Sequence, residues 1–298
     1  MSTQKVQFKI MNKFTKQQII DSLISLGVKQ GDVLFLAADL LRVGYFSKNR
    51  SQTLSDWIDI LLACVGNSGT LIIPSYTKTF KRFKKNNNII FSNTVDSSSG
   101  PLSQAILNHP SSYRSSHPTN SCVGIGKYAE YILQDHDVNS TSYYPYGKIV
   151  ELGGKNLMIG ALNSKHLSPM AIHYAQEVLG LTNKHYLSNI LQTYYIGNDG
   201  SKHLFTRKGV GGCTAGGYKS YGHHIINDAL NIGFVGNSKS ALIPCRESFN
   251  IFYQIYMCDK KLLACDDPMC PTCQGSPIHF NLFFWMKFLV NKVFRLRS

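Results

Sequence analysis

The stretch Ser168-Pro-Met-Ala-Ile-His173-Tyr-Ala-Gln176-Glu177-Val-Leu-Gly180 holds the residues best suited to acid–base chemistry. Ser168 is a good helix cap, Pro169 suits a first helical position and Gly180 suits a C-terminal stop, so a short helix with His173 in its second turn is predicted. His173 and Glu177 lie four apart, on one helical face, where a carboxylate can fix an imidazole tautomer and stabilise the imidazolium formed on proton uptake. That is the arrangement of a general base. A solvated or packed pair has the same spacing, so spacing alone leaves both readings open.

A second group of reactive side chains is Cys258, Cys265, Cys270 and Cys273, the last two in the knuckle Cys270-Pro-Thr-Cys273. Four thiolates so placed form a tetrahedral set for a structural zinc, with His279 as a substitute for one of them; surface thiols and a redox pair are the competing readings. Such a zinc would clamp a loop and take no part in chemistry elsewhere. Cys213 stands in Gly209-Val-Gly-Gly-Cys213-Thr-Ala-Gly-Gly217 and reads as a small residue in a tight loop rather than as a nucleophile. Those glycines lack the strand–turn–helix setting of a dinucleotide fingerprint.

These side chains need a scaffold, and the rest of the chain predicts one. Thr15 and Gln18 have capping-box spacing, and Ile19, Ile20, Leu23, Ile24 and Leu26 then recur at helical intervals up to Gly27. Asp32 to Ala38 and Gly69 to Pro74 are short uninterrupted apolar runs, read as buried strands, with a helix over Leu54 to Cys64 between them. Leu157 to Gly160, Ile190 to Gly197 and Leu242 to Cys245 are further strand candidates. Helices alternating with uninterrupted apolar strands imply one α/β domain, with a mixed or mostly parallel sheet covered on both faces. That domain is assigned residues 1–279, with a Cys-rich loop near 258–273, followed by a basic amphipathic tail over 280–298. The segment 78–88, KTFKRFKKNNN, is unpatterned and reads as a solvated loop or a phosphate-facing one.

Composition narrows the class. Of 298 residues 43% are hydrophobic, which excludes global disorder, and 31 Lys plus Arg against 17 Asp plus Glu give a net charge of +14. Only 16% of residues are charged, below the usual quarter, so the excess reflects scarce acids. No apolar run is long enough to span a bilayer and the start lacks a secretory apolar stretch, so a cytoplasmic protein with reduced thiols is expected. The tail, with Lys287, Lys292, Arg295 and Arg297 among apolar residues, suits peripheral contact with an anionic membrane, packing on the domain, or a homo-oligomer interface.

Three stretches together resemble the aminoglycoside 3-N-acetyltransferase family, also called antibiotic N-acetyltransferases. They are Ser97 to Ile106 leading through His109-Pro110 to Tyr113-Arg-Ser-Ser-His117-Pro-Thr-Asn-Ser121, then Tyr146-Gly to Leu152-Gly-Gly-Lys-Asn-Leu-Met-Ile-Gly160, then Ile172-His173-Tyr-Ala. The resemblance covers roughly Thr15 to Gly180. It implies the family's own α/β fold and direct acyl transfer from acetyl-CoA or another acyl-CoA to an amine, with His173 as general base. It also implies cofactor contacts from His117 and Ser121 and backbone contacts from Ala37 and Ala38. Tyr76, just beyond a strand's carboxyl edge where open α/β sheets bind ligands, is assigned to the substrate together with Asp39, with a packing tyrosine as the competing reading. The family has Glu three residues after its histidine where this chain has Gln176, so the orienting role is assigned to Glu177, with Gln176 as a neutral acceptor; Asp39 as the orienting acid, or a weakened pair, are the alternatives.

The basic balance favours an anionic acceptor. The predicted substrate is therefore a nucleotide-linked amino sugar destined for surface polysaccharide, and the alternative is an aminoglycoside, with antibiotic resistance as the outcome. No nucleic-acid-binding motif is present, and a non-catalytic membrane or nucleic-acid binder is a remote alternative.

Overall fold

Alternation along the strands decides the architecture. The computed structural model describes residues 14–162, 169–184, 190–207, 213–275 and 281–295. In β1 (Val33–Ala38), Leu34 and Leu36 join one hydrophobic cluster while Val33 and Phe35 join another, and in β2 (Thr70–Pro74) Leu71 and Ile73 part from Ile72 in the same way. A strand buried on both faces needs a helical layer on each. One layer holds α1 (Lys16–Leu26) and, after the short α2 (Leu40–Val43), α3 (Arg50–Val65) and α4 (Pro101–Leu107). The other holds α5 (Ala129–Leu133), α6 (Tyr144–Glu151), α7 (Ala171–Val178) and α9 (Cys245–Cys258), with α8 (Tyr221–Ile226) beside α9.

The main sheet runs β10-β11-β7-β1-β2-β6-β5. β7 (Lys155–Ile159) and β2 flank β1 in parallel; β5 (Tyr113–Arg114), β6 (Cys122–Gly126), β10 (Asn231–Val235) and β11 (Ser238–Pro244) pair antiparallel. The chain leaves β1 for β2 on one side and returns as β7 on the other, and ligands of open α/β sheets bind beyond the strands' carboxyl ends at such a reversal. A second sheet of β3 (Phe80–Lys81), β4 (Ile90–Phe91), β8 (Leu191–Ile196) and β9 (Lys202–Thr206) stands apart from the first.

Local sequence is obeyed at the caps. The Thr15–Gln18 box forms in both directions, Thr15 N donating to Gln18 Oε1 at 2.9 Å and Gln18 N to Thr15 Oγ1 at 3.2 Å. Helix α3 starts four residues before the predicted Leu54 because Asn49 caps it, accepting from Gln52 N at 2.8 Å. The segment 78–88 is not wholly a solvated loop: Phe80 is buried against Tyr194 at 5.5 Å between ring centroids, while residues 81–88 are exposed. Helix α7 begins at Ala171 rather than at Pro169, with Met170 before it, and Ser168 lies outside the described residues. Gly180 ends it in the left-handed region (φ 66°), its N–H donating to Glu177 O at 3.0 Å.

The tail forms α10 (Leu282–Arg295). Phe284 is buried, Asn291 lies against Met269, and the helix packs on the 271–275 turn, while Leu282, Phe283, Met286, Leu289 and Val290 face outward. No helix of the described residues is long and apolar enough to cross a membrane.

Candidate active site

His173 sits on α7, whose entry is fixed by a buried polar bridge. Asn156 of β7 donates through Nδ2 to Phe35 O on β1 at 2.9 Å and accepts through Oδ1 from Met170 N at 3.2 Å. The helix start is thereby tied to the two central strands. Deleting either half of that bridge would strand a buried polar group, at a cost of about 1–3 kcal/mol.

The imidazole is held in its plane and on its face. In the plane, Nδ1 lies 3.3 Å from Gln176 Oε1, and Gln176 turns its Nε2 to the Tyr256 hydroxyl of α9 at 2.6 Å. An amide oxygen only accepts, so this assignment puts the ring proton on Nδ1 and the lone pair on Nε2. On the face, the Tyr143 ring stacks at 5.0 Å and 16°. A neutral imidazole fixed in one tautomer is what a proton acceptor requires.

Glu177 does not take the orienting place assigned to it. Its carboxylate accepts from Tyr143 N at 3.2 and 3.3 Å, and hydrogen bonds from Thr141 and Ser142 also reach it. Burial nevertheless raises its carboxyl from 4.5 to about 7, against those hydrogen bonds. Glu177 thus holds the turn that carries Tyr143, and acts on His173 through that ring. One helical step explains the exchange: Gln176, three residues on, points at the ring, and Glu177 points past it.

The other predicted residues divide. Tyr76 follows β2 and lies within electrostatic reach of Tyr143 and Arg207; burial pushes its hydroxyl well above the ordinary range. His117 is buried, stacks on His136 at 4.6 Å and accepts through Nδ1 from Asn120 N at 3.0 Å. Burial, aided by the Arg207 charge, lowers it to about 3, so it stays neutral. The Ser121 hydroxyl is committed inward, donating to Ser75 O at 2.5 Å and accepting from Arg114 Nε at 3.2 Å. Ala37 and Ala38 end β1 in register with Met158 and Ile159. Asp39 follows them and pairs with Arg42 at 2.7 Å.

Arg114, inside the Tyr113–Ser121 motif, organises this region. Its guanidinium donates to Ser75 O at 2.8 Å, Asn93 O at 3.3 Å and Val95 O, fastening Ser75 and the 93–95 segment to β5. Tyr143, Tyr256 and Asn156 were not foreseen; none has a local pattern that marks it, because each acts on a residue distant in sequence.

The thiol prediction needs one exchange. Cys258 is exposed at the end of α9 and lies outside the cluster. The thiols of Cys265, Cys270 and Cys273 are joined instead by Cys213, all four sulfurs lying within 4.8 Å of one another. His279 lies outside the described residues.

Comparison with known proteins gives the family and the fold. Residues 35–256 match the family described as aminoglycoside 3-N-acetyltransferase. Aminoglycoside N(3)-acetyltransferase III of a Salmonella species is 28% identical over 191 residues, which are 58% of this chain and 64% of that protein. Aminoglycoside N(3)-acetyltransferase IX of Micromonospora chalcea is 24% identical over 192 residues, 58% and 66% of the two chains. The match to the first curated relatives thus spans just under two thirds of their length. Among solved structures, the apoenzyme of aminoglycoside acetyltransferase AAC(3)-IVa superposes with a TM-score of 0.69 at 19% identity, over 89% of this chain and 99% of that one. AAC-IIIb in binary complex with CoASH gives 0.67 at 20% identity, over 82% and 96%.

The fold is therefore that of the antibiotic N-acetyltransferases, a class with its own mixed sheet. On the match over residues 35–256, the chain belongs to the aminoglycoside 3-N-acetyltransferase family.

Proposed function

We propose that this chain transfers an acetyl group from acetyl-CoA to an amino group of an aminoglycoside, with His173 as general base. The observation that carries the reading is the His173 imidazole held between Gln176 Oε1 and the Tyr143 ring, with its lone pair on Nε2. An alkylamine is mostly ammonium near pH 7 and must lose a proton before it attacks a thioester. The ammonium first gives one proton to solvent; as the free amine forms the C–N bond, Nε2 takes a second proton from its nitrogen and the carbonyl becomes a tetrahedral oxyanion. Collapse expels the CoA thiolate, which the imidazolium protonates, so amine and thioester become amide and thiol with the base restored.

Family membership and the names of the relatives favour an aminoglycoside acceptor. They give no support to the nucleotide-linked amino sugar preferred on charge. Use of acetyl-CoA fits a cytoplasmic reaction. Free-thiol release from acetyl-CoA, measured with kanamycin-type and gentamicin-type aminoglycosides beside nucleotide-linked amino sugars, tests the proposal. Release with aminoglycosides supports it, and release with the amino-sugar nucleotides alone overturns the acceptor class.

A further inference from the structure

We propose that Cys213, Cys265, Cys270 and Cys273 hold a zinc ion that locks the C-terminal segment onto the catalytic layer and positions Tyr256 behind Gln176. The four sulfurs lie within 4.8 Å of one another and none is in a disulfide. A tetrahedral zinc with Zn–S bonds of about 2.3 Å sets its sulfurs about 3.8 Å apart, so a small contraction of this cluster completes the shell. Four thiolates supply all four ligands, which makes the site closed and structural, with no open position for a substrate.

The backbone is already arranged for thiolate charge. Ala215 N donates to Cys213 Sγ at 3.4 Å, Cys265 N to Cys273 Sγ at 3.4 Å, and Cys273 N to Cys270 Sγ at 3.5 Å. Such N–H···S bonds orient metal-bound sulfur and spread its charge. Three of the ligands sit within one short loop and the fourth arrives from more than fifty residues upstream, so the ion closes a long loop.

That closure has built-in fittings. A Cβ at Gly216 would lie 2.1 Å from Leu263 O, so only glycine lets the 213–217 loop seat against the 258–273 segment. Lys219 then pairs with Asp266 at 2.9 Å and donates to Ala264 O at 2.5 Å, while Tyr218 donates to Asp266. Beyond the knuckle, the 271–275 turn receives α10.

The cluster also reaches the catalytic helix. Tyr256 is buried on α9, within electrostatic reach of Cys213 and Cys273, and its hydroxyl accepts from Gln176, which in turn touches His173. Tyr256 is thus a positioning residue, and the ion fixes the end of the helix that bears it. This second half rests on His173 being the base; the ion itself does not.

The test is metal analysis of the full-length chain purified without chelator, with X-ray absorption at the zinc edge. About one zinc per chain, in a shell of four sulfurs at about 2.3 Å, is expected. Cys273→Ser should lose the metal, Cys258→Ser should keep it, and His173→Ala should keep it while losing acetyl transfer. Tyr256→Phe should keep the metal and lower kcat severalfold at unchanged acceptor KM, a split that general unfolding would not give. Should Cys273→Ser fail to fold, the absorption spectrum of the wild-type chain decides alone. Absence of metal, iron in its place, nitrogen or oxygen in the shell, or loss of zinc in Cys258→Ser overturns the site. Zinc with four sulfurs but an inactive wild-type chain leaves the site standing and counts against the acetyl-transfer reading instead. An active Tyr256→Phe with unchanged kcat overturns the positioning role alone.

Discussion

Restoring a carboxylate beside the base, as Gln176→Glu, tests the reading of His173 most directly. Gln176 Oε1 lies 3.3 Å from Nδ1, so a carboxylate there would have its charge about 5 Å from the centre of the imidazolium. At an effective permittivity of about 20 that pair attracts by about 3 kcal/mol, and in bulk water by about 1 kcal/mol. His173 is partly exposed, which puts the working figure near the lower bound, about 1.5 kcal/mol. One decade in an acid constant is about 1.4 kcal/mol, so the acid limb of the kcat/KM profile should move up by about one pH unit. Tyr256 tolerates the change, since its hydroxyl can donate to a carboxylate where it now accepts from an amide. A more basic imidazole is also the better proton acceptor, so above the limb the variant should run roughly threefold faster, and below it slower than wild type. Initial rates of thiol release between pH 5.5 and 9 measure both effects. An acid limb that stays where it was would refute the contact, or the assignment of that limb to His173.

Three further outcomes follow from the site. His173→Ala should lower kcat/KM by about 10²–10⁴ with circular dichroism and melting temperature unchanged, because the ring is partly exposed and leaves no core cavity; a loss under tenfold would remove it as the base. Glu177 makes the folded state hold a proton that the unfolded chain releases, its carboxyl being raised from 4.5 to about 7. Its stabilisation is full below pH 4.5 and is lost as pH rises to about 7. The upper bound is about 3 kcal/mol, and partial exposure reduces it to about 1–2 kcal/mol. Glu177→Gln should remove that step, seen as urea midpoints at pH 4.5 and 7.5 that differ less than in wild type; equal differences would mean the carboxyl titrates normally. Asn156→Ala should cost about 1–3 kcal/mol and slow catalysis as well, by freeing the start of α7; stability lost at full kcat would show that the bridge does not position His173.

Much of the scaffold was legible because its signals are local. The Thr15 box, the Gly27 and Gly180 stops and the apolar runs of β1, β2 and β7 need only neighbours in sequence to act, and both faces of the sheet are covered as their burial demands. Strand β6, with glycines at 124 and 126, and the two-residue strands of the second sheet had no comparable pattern. They exist by pairing, and Gly124 is needed because a Cβ there would strike Ile72 and the Leu71 carbonyl. The site was legible at His173 and only partly around it. Helical geometry puts positions three and four along equally near a histidine, and what chose Gln176 over Glu177 was Tyr256, eighty residues away, on one side and the 141–143 turn on the other. The thiol cluster shows the same limit: Cys258 was preferred to Cys213 on proximity in sequence, but the packing of Gly216 on Leu263 brings the distant residue in.

Net charge and family membership point to different acceptors for a related reason. The +14 excess is a sum over the whole chain, whereas an acceptor meets the field of one cleft. Lys78, Lys81, Arg82, Lys84 and Lys85 crowd one segment at β3 of the second sheet, and all five are exposed there. Lys29, Lys48, Arg50 and Lys239 lie on other elements of the surface. Charges set more than a Debye length, about 8–10 Å, from a bound ligand are largely screened at physiological salt and so contribute little to its recognition. One ionisable group near His173 is Glu177, a carboxyl raised to about 7 that becomes anionic over the pH range in which a base at His173 must be neutral. A cationic acceptor gains from that charge and a nucleotide phosphate is repelled by it. Salt dependence separates the local from the global account: if recognition is set at the cleft, acceptor KM should rise with ionic strength in the wild type and respond less in Glu177→Gln, with the basic segment 78–85 intact in both. A KM that falls with salt would restore the view that the surplus of lysine and arginine governs which acceptor this chain takes.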